Sequence, residues 1–269
     1  MLDTDQRQRF AEQGYLCLPE AIDPELIAGA REQLWEAIPE SRDEPEALVG
    51  VGSRSPDVPS DAPFTAINDQ LYDYGSSLVG DRLVAPDGPD MQLAFRYPRD
   101  LRVSAYHDRR SGVGHLDGYG PGFKQDGEYT GFAVAGVVYF DQVAARGGGF
   151  TVWPGSHWLA AAYFRDHALN APGYGGNLPA IDDSGGWDRT ASLGNQLRSR
   201  ELSGPPGTLI LWHNKLIHGA GVNQSDRIRM AGIKRFRRDD HEAIKADAAA
   251  APFAYWDEIE APPAPGSDP

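Results

Sequence analysis

What most restricts the fold of this chain is a change of apolar period at Met91. From there on, "MQLAFRYP", "GFAVAGVVYF", "GGFTVWP", "GTLILWH" and "IRMAGIKRF" are short runs, apolar throughout or alternating, parted by Gly, Pro, Asn and Asp. Alternation puts successive side chains on opposite faces of a strand, and continuous apolar runs this short fit strands covered on both faces. So many short strands cut by turns call for a sandwich or barrel.

The stretch before Met91 carries a different period. Asp3 and Thr4 can cap a short helix ending at Gly14, and "GYLCLP" follows as a buried strand. Asp23 and Pro24 form an N-cap and first-turn pair, with Ile27, Ala30, Leu34 and Ile38 on one face before Pro39. Ile67, Leu71, Tyr74 and Leu78 make a second stripe closed by Gly80. The expected architecture is mainly β with flanking helices, one domain over 1–260, helical to about residue 85 and strand-built from about 90 to 238. One more helix is expected around Trp158 to Leu169. Pro39 to Phe64 and the Gly-rich 172–194 are expected as connections, and "APPAPGSDP" (261–269) as a disordered tail.

Charge and cysteine usage remove several function classes. A net charge of −14 repels phosphate backbones and anionic bilayers, so neither nucleic acid nor a membrane is an expected partner. No run approaches the roughly 20 apolar residues of a membrane span, and "MLDTDQRQRF" lacks a basic start and apolar core, which predicts a cytoplasmic protein. The single cysteine, Cys17, allows no disulfide within the chain. Any metal must therefore be held by histidine and carboxylate. The charges are also skewed, with 26 Asp and 13 Glu against 21 Arg and only 4 Lys, a surface that suits high salt or reflects codon bias.

"GHLDGY" (114–119) places His115 and Asp117 two apart, on one side of an extended segment. In a chain this rich in aspartate the pair alone decides nothing. A third ligand can come from His107, His157, His167, His213, His218 or His241. His218 fits best, lying between two strand-like runs and just before glycines in "GTLILWHNKLIHGAGVNQSDRIRMA". Two histidines and a carboxylate make a facial triad with open positions, the set suited to non-haem Fe(II). Eleven residues after His218, Arg229 offers a planar fork for a carboxylate.

The order H-x-D, "GGGFTVWPGSH" (147–157), a distal His and an Arg eleven further on resembles the phytanoyl-CoA dioxygenase family of Fe(II)- and 2-oxoglutarate-dependent oxygenases. "FAEQGYLCLPEAIDPELIAGARE" is similar to that family's opening, so the likeness runs to about Phe236. The resemblance implies a double-stranded β-helix (jelly roll, cupin-like), Fe(II) on His115, Asp117 and His218, and Arg229 on the distal carboxylate of 2-oxoglutarate. It also implies that Gln92 touches the co-substrate. Arg229 is preferred to Arg227 on the family spacing. With O2, such a site oxidatively decarboxylates 2-oxoglutarate to succinate and CO2 and oxidises an unactivated C–H of a small molecule. An aspartate in the triad favours hydroxylation or desaturation over halogenation.

Some positions depart from the family pattern. Ala220 stands where a serine is frequent and Val137 where an aromatic is, while Pro98 to His115 and "YGPGFKQDGEYTG" are longer than usual. His157 is expected to close a turn, His213 to lie in the core or behind the ligands, and Trp153 and Trp212 to be core or pocket wall. Arg96, Arg99, Arg102, Arg109 and Arg110 form a cluster that fits a solvated rim or an anion contact. The rival readings are a zinc hydrolase on the same ligands, for which no general-base motif is evident, and a jelly roll that binds without turnover.

Overall fold

A computed structural model describes residues 1–100, 114–117, 131–166 and 197–260. Helix α1 (Thr4–Gln13) opens on Asp3, whose carboxylate accepts from the Gln6 amide while the Gln6 side chain accepts from Asp3 N–H. It closes at Gly14, where φ is 79° and a Cβ would lie 2.5 Å from His157 Nδ1, so only glycine fits. Strand β1 (Tyr15–Leu18) leaves at once. Helix α2 (Pro24–Glu36), capped by the Asp23 carboxylate, buries Ile27, Ala30 and Leu34. The stretch expected only as a connection holds α3 (Pro45–Leu48) and the two-residue β2 (Ser53–Arg54). Helix α4 (Phe64–Val79) buries Ile67, Leu71 and Leu78, while the Tyr74 hydroxyl, half-buried, donates to Ala21 O.

The strands follow as β3 (Gln92–Arg96), β4 (Val134–Tyr139), β5 (Phe150–Val152), β6 (Arg200–Leu202), β7 (Leu209–His213), β8 (His218–Ala220) and β9 (Arg229–Phe236). Every pairing between them is antiparallel. They form a six-stranded sheet, order β1-β7-β4-β9-β3-β2, and a three-stranded sheet, order β6-β5-β8. Ala135, Val137, Tyr139, Ile210, Trp212 and Ala231 of the large sheet meet Phe150, Val152 and Leu202 of the small one in one cluster. Their neighbours Val134, Val138, Leu209, Leu211, Met230 and Phe236 point outward, into a second core with α1, α2 and α4. The large sheet is thus covered on both faces, which is why "GFAVAGVVYF" and "GTLILWH" do not alternate. This is the expected jelly roll with helices on its outer face.

Helix α5 (Ser156–Asp166) starts two residues before the expected Trp158; Leu169, the connection 172–194 and the tail 261–269 lie outside the described residues. One helix was not expected. Helix α6 (His241–Ala250) follows β9, and Phe253 and Trp256 beyond it pack on Phe10 at 6.4 and 5.7 Å between ring centres.

Candidate metal centre

His218 opens β8, and its position is set from several sides. Trp153 N–H donates to Ile217 O (3.0 Å), Ile217 N–H donates to Ser156 Oγ (2.8 Å), and Val152 pairs with His218 in the sheet. The "PGSH" segment therefore clamps the residue just before the ligand candidate. On the far edge of β8, His115 and His218 exchange backbone hydrogen bonds of 2.8 and 3.1 Å. That approach requires Gly114, because a Cβ there would sit 2.4 Å from Ile217 Cγ2 and 2.8 Å from Trp153 Cζ3.

These contacts bring three predicted residues together. Asp117 Oδ1 lies 3.1 Å from His115 Nε2 and 3.6 Å from His218 Nε2, and one ligand atom from each of the three falls within 4.8 Å of the others. The His218 Nδ1–H donates to Leu216 O (2.9 Å), which leaves the Nε2 lone pair facing Asp117. Burial lowers the His218 pKa, and Phe150 stacks on the ring at 5.2 Å between centres. A neutral imidazole and a carboxylate whose lone pairs converge repel each other unless a cation lies between them. The N2O donor set suits Fe(II) among the transition metals.

The carboxylate has a second partner that sequence reasoning missed. Arg235 places Nη2 at 2.6 Å and Nε at 2.7 Å from Asp117 Oδ2, while its Nη1 donates to Gln92 Oε1 (3.0 Å) and its guanidinium lies 5.9 Å from the Phe132 ring centre. Burial is the strongest influence on Asp117 and pushes its pKa up. Protonation of His218 and His115, together with the Arg235 cation, outweighs it and holds the carboxyl well below the usual range. One signal was available: residues 229, 231, 233 and 235 of β9 share a face, so the parity that turns Arg229 inward turns Arg235 inward too.

Arg229 is buried, with Nε donating to Gly148 O and Nη1 to Ala94 O, each at 3.0 Å. Burial pushes its pKa down to about 10, so it remains a cation at neutral pH. Arg227 is exposed and precedes β9. Val137 lies on the inner face, and the aromatic residue of that strand is Tyr139, two positions on, which donates to Leu202 O (2.7 Å) and accepts from Phe150 N–H (2.8 Å).

The remaining histidines are elsewhere. His157 donates Nε2–H to Ala11 O and His213 donates Nε2–H to Pro252 O, both at 2.9 Å and both against Phe253 on the outer side of the large sheet. His241 begins α6, and His107, His167, Arg102, Arg109 and Arg110 lie outside the described residues, as does "YGPGFKQDGEYTG" apart from Gly131. The side chains of Asp117 and His218 are 4% exposed and that of His115 is 42%, so the triad opens along the His115 edge. There a groove of about 560 Å³ begins, bordered by Tyr97, Arg96 and Gly219 to Asn223.

Residues 105–231 match the phytanoyl-CoA dioxygenase (PhyH) family. Over that span, just under half of its length, the chain is similar to that family. The members of that family are non-haem iron- and 2-oxoglutarate-dependent oxygenases. A search of curated proteins found no match. Among solved structures, the chain is similar to EctD from S. alaskensis, with 2-oxoglutarate and 5-hydroxyectoine, at 17% identity over 88% of this chain and 76% of that one, TM-score 0.55. HygX from Streptomyces hygroscopicus, with nickel, 2-oxoglutarate and hygromycin B, gives 17% identity over 88% of each chain, TM-score 0.54. The epimerase SnoN, with Fe3+, alpha ketoglutarate and nogalamycin RO, gives 16% over 87% and 82%, TM-score 0.51. At such identities the likeness is one of fold. Among the described residues, no helix is long and apolar enough to cross a membrane.

Proposed function

We propose that His115, Asp117 and His218 hold the Fe(II), that Arg229 takes the distal carboxylate of 2-oxoglutarate, and that the protein hydroxylates an unactivated C–H bond of a small molecule. The observation that carries this reading is the convergence of three lone-pair atoms within 4.8 Å, with no second group of His, Cys, Asp and Glu of that kind among the described residues. Iron bound there supplies the activation of O2. The balance is R–H plus O2 plus 2-oxoglutarate giving R–OH, succinate and CO2, one oxygen atom entering each of the first two products.

The chain's own residues do the rest. Leu216 O fixes the His218 tautomer, Arg235 keeps Asp117 ionised, and Phe150 and Trp212 shield the His218 ring from water. Arg229 has a pre-set guanidinium, tethered at two of its nitrogens to backbone carbonyls. Gln92, whose oxygen is taken by Arg235, keeps its amide nitrogen for the co-substrate. The structures of EctD and HygX hold the small molecules 5-hydroxyectoine and hygromycin B, which supports a small-molecule substrate here.

The test is an anaerobic titration of apoprotein with Fe(II) and then 2-oxoglutarate, followed by the visible charge-transfer band of a chelated keto acid. A band that is lost in His115→Ala, and that needs a much higher 2-oxoglutarate concentration in Arg229→Gln, is the expected result. No band in the wild type sinks the reading. Because SnoN is an epimerase, labelled O2 decides the final step: label in the product means hydroxylation, and its absence means another outcome.

A further inference from the structure

The large sheet sets two arginines opposite each other. In the antiparallel register of β3 with β9, Arg96 is the direct partner of Arg229, and residues 92, 94 and 96 share the inward parity of 229, 231 and 233. Like charges directly opposite on one face destabilise a sheet. Neither has an ion-pair partner in contact among the described residues, although the Glu201 carboxylate lies near enough to Arg229 to favour its charged form. Among the described residues no carboxylate lies within 4 Å of either guanidinium: Arg229 donates to two backbone carbonyls, and Arg96 donates to the Ser53 hydroxyl. Arg96 is half-buried, and burial lowers its pKa, as expected of a cation that has lost water without gaining an anion.

The two differ in access. Arg96 lines the groove of about 560 Å³ that starts at His115, whereas Arg229 does not. The described lining of that groove includes Arg96 but no Asp or Glu, the Glu201 carboxylate lying against Gly221 and accepting from Gly149 N–H, in a chain of net charge −14. Low-dielectric walls lined by one sign of charge concentrate ligands of the other sign, and the volume is that of a small-molecule site.

We propose that Arg96 recognises an oxyanion of the substrate, a carboxylate or a phosphate ester, and so holds the reacting carbon toward the His115 edge of the metal centre. This assignment rests on the oxygenase reading for the direction of the substrate but not for the anion site itself. Arg229, deeper and out of reach from the groove, is left to the co-substrate. The substrate class is thus a small anionic molecule.

The probe is inorganic phosphate, titrated at constant ionic strength against the protein loaded with Fe(II) and 2-oxoglutarate under anaerobic conditions, with tryptophan fluorescence and the charge-transfer band as readouts. We expect saturable binding to the wild type and at least tenfold weaker binding to Arg96→Gln, with 2-oxoglutarate affinity changed less than twofold. A measurement on the wild type alone covers the case of a poorly folding variant. Phenylglyoxal modification of Arg96, read by peptide mass spectrometry, is expected to slow in phosphate and not in 2-oxoglutarate. Absence of saturable phosphate binding, equal affinity in Arg96→Gln, or protection by 2-oxoglutarate instead of phosphate each overturns the proposal. Arg96-dependent phosphate binding in a protein that gives no charge-transfer band upholds the anion site while the oxygenase reading fails.

Discussion

Arg235 decides how firmly Asp117 is presented. Its two short contacts fall on Oδ2, which leaves Oδ1 directed at the two histidines. Without it, a carboxylate that is almost wholly buried would lose its one guanidinium partner and could rotate. Outer partners of this kind are worth about 10- to 100-fold in metal affinity. Arg235→Met is therefore expected to weaken Fe(II) or Co(II) binding by about that factor, measured by metal titration without 2-oxoglutarate. Unchanged metal affinity would mean that the pair serves only the fold. At this scale the sequence was uneven. His115, Asp117, His218 and Arg229 were legible through spacing and resemblance, but Arg235 is 118 positions from Asp117 and is one of 21 arginines, so only its strand parity singled it out.

At the level of elements, the candidate metal centre depends on how α5 meets the turn before β8. Ser156 is fully buried at the start of α5 and accepts from Ile217 N–H, next to His218. Removing that acceptor leaves a buried donor unmet, at a cost of about 1–3 kcal/mol. Ser156→Ala should lower the urea midpoint accordingly with an unchanged m-value, and loosen metal binding as well; an unaltered midpoint would show that the donor finds another acceptor. Helix α2 was legible because a cap and a 3.6-residue stripe coincide, α1 through its Asp3 cap and closing Gly14, and α4 through its stripe closed by Gly80. Helix α6 was not, since "HEAIKADAAA" buries only His241 and Ala249 and carries no apolar stripe. Strands β2 and β6 have two and three residues, mostly polar, and are defined by their partners β3 and β5 and not by their own pattern. The clamp role of "PGSH" depends on a contact across the fold, so spacing could not reveal it.

Over the whole molecule, charge sets the response to salt and pH. With 39 acidic against 25 basic side chains, self-repulsion is screened only as the Debye length falls, from about 30 Å at 0.01 M to about 3 Å at 1 M. The melting temperature is expected to rise across that range of KCl, and a flat profile would leave codon bias as the reading of the lysine-poor composition. Inside this anionic shell sits a buried lysine that pairs with no acid among the described residues. Lys215 is 1% exposed, its ammonium has one long contact, 3.4 Å to Asn214 Oδ1, and burial lowers its pKa to about 7. An unfolded lysine titrates near 10.4, so between about 7 and about 10.4 the unfolded chain binds the extra proton. Stability therefore rises with pH through that window, and the full penalty of a buried charge is present below it. His157, lowered to about 4 by burial, acts on the acid side, where stability falls as pH drops from about 6.5 toward 4. Lys215→Met removes the first penalty and keeps the apolar stem that packs in the core. It is expected to stabilise the protein by on the order of 4 kcal/mol at pH 7, the gain shrinking toward zero near pH 10. Urea unfolding of both proteins at pH 7, 8.5 and 10 measures this directly. A difference that does not change with pH would mean that Lys215 keeps an unfolded-like pKa and stays protonated in the folded protein, and that packing alone accounts for it.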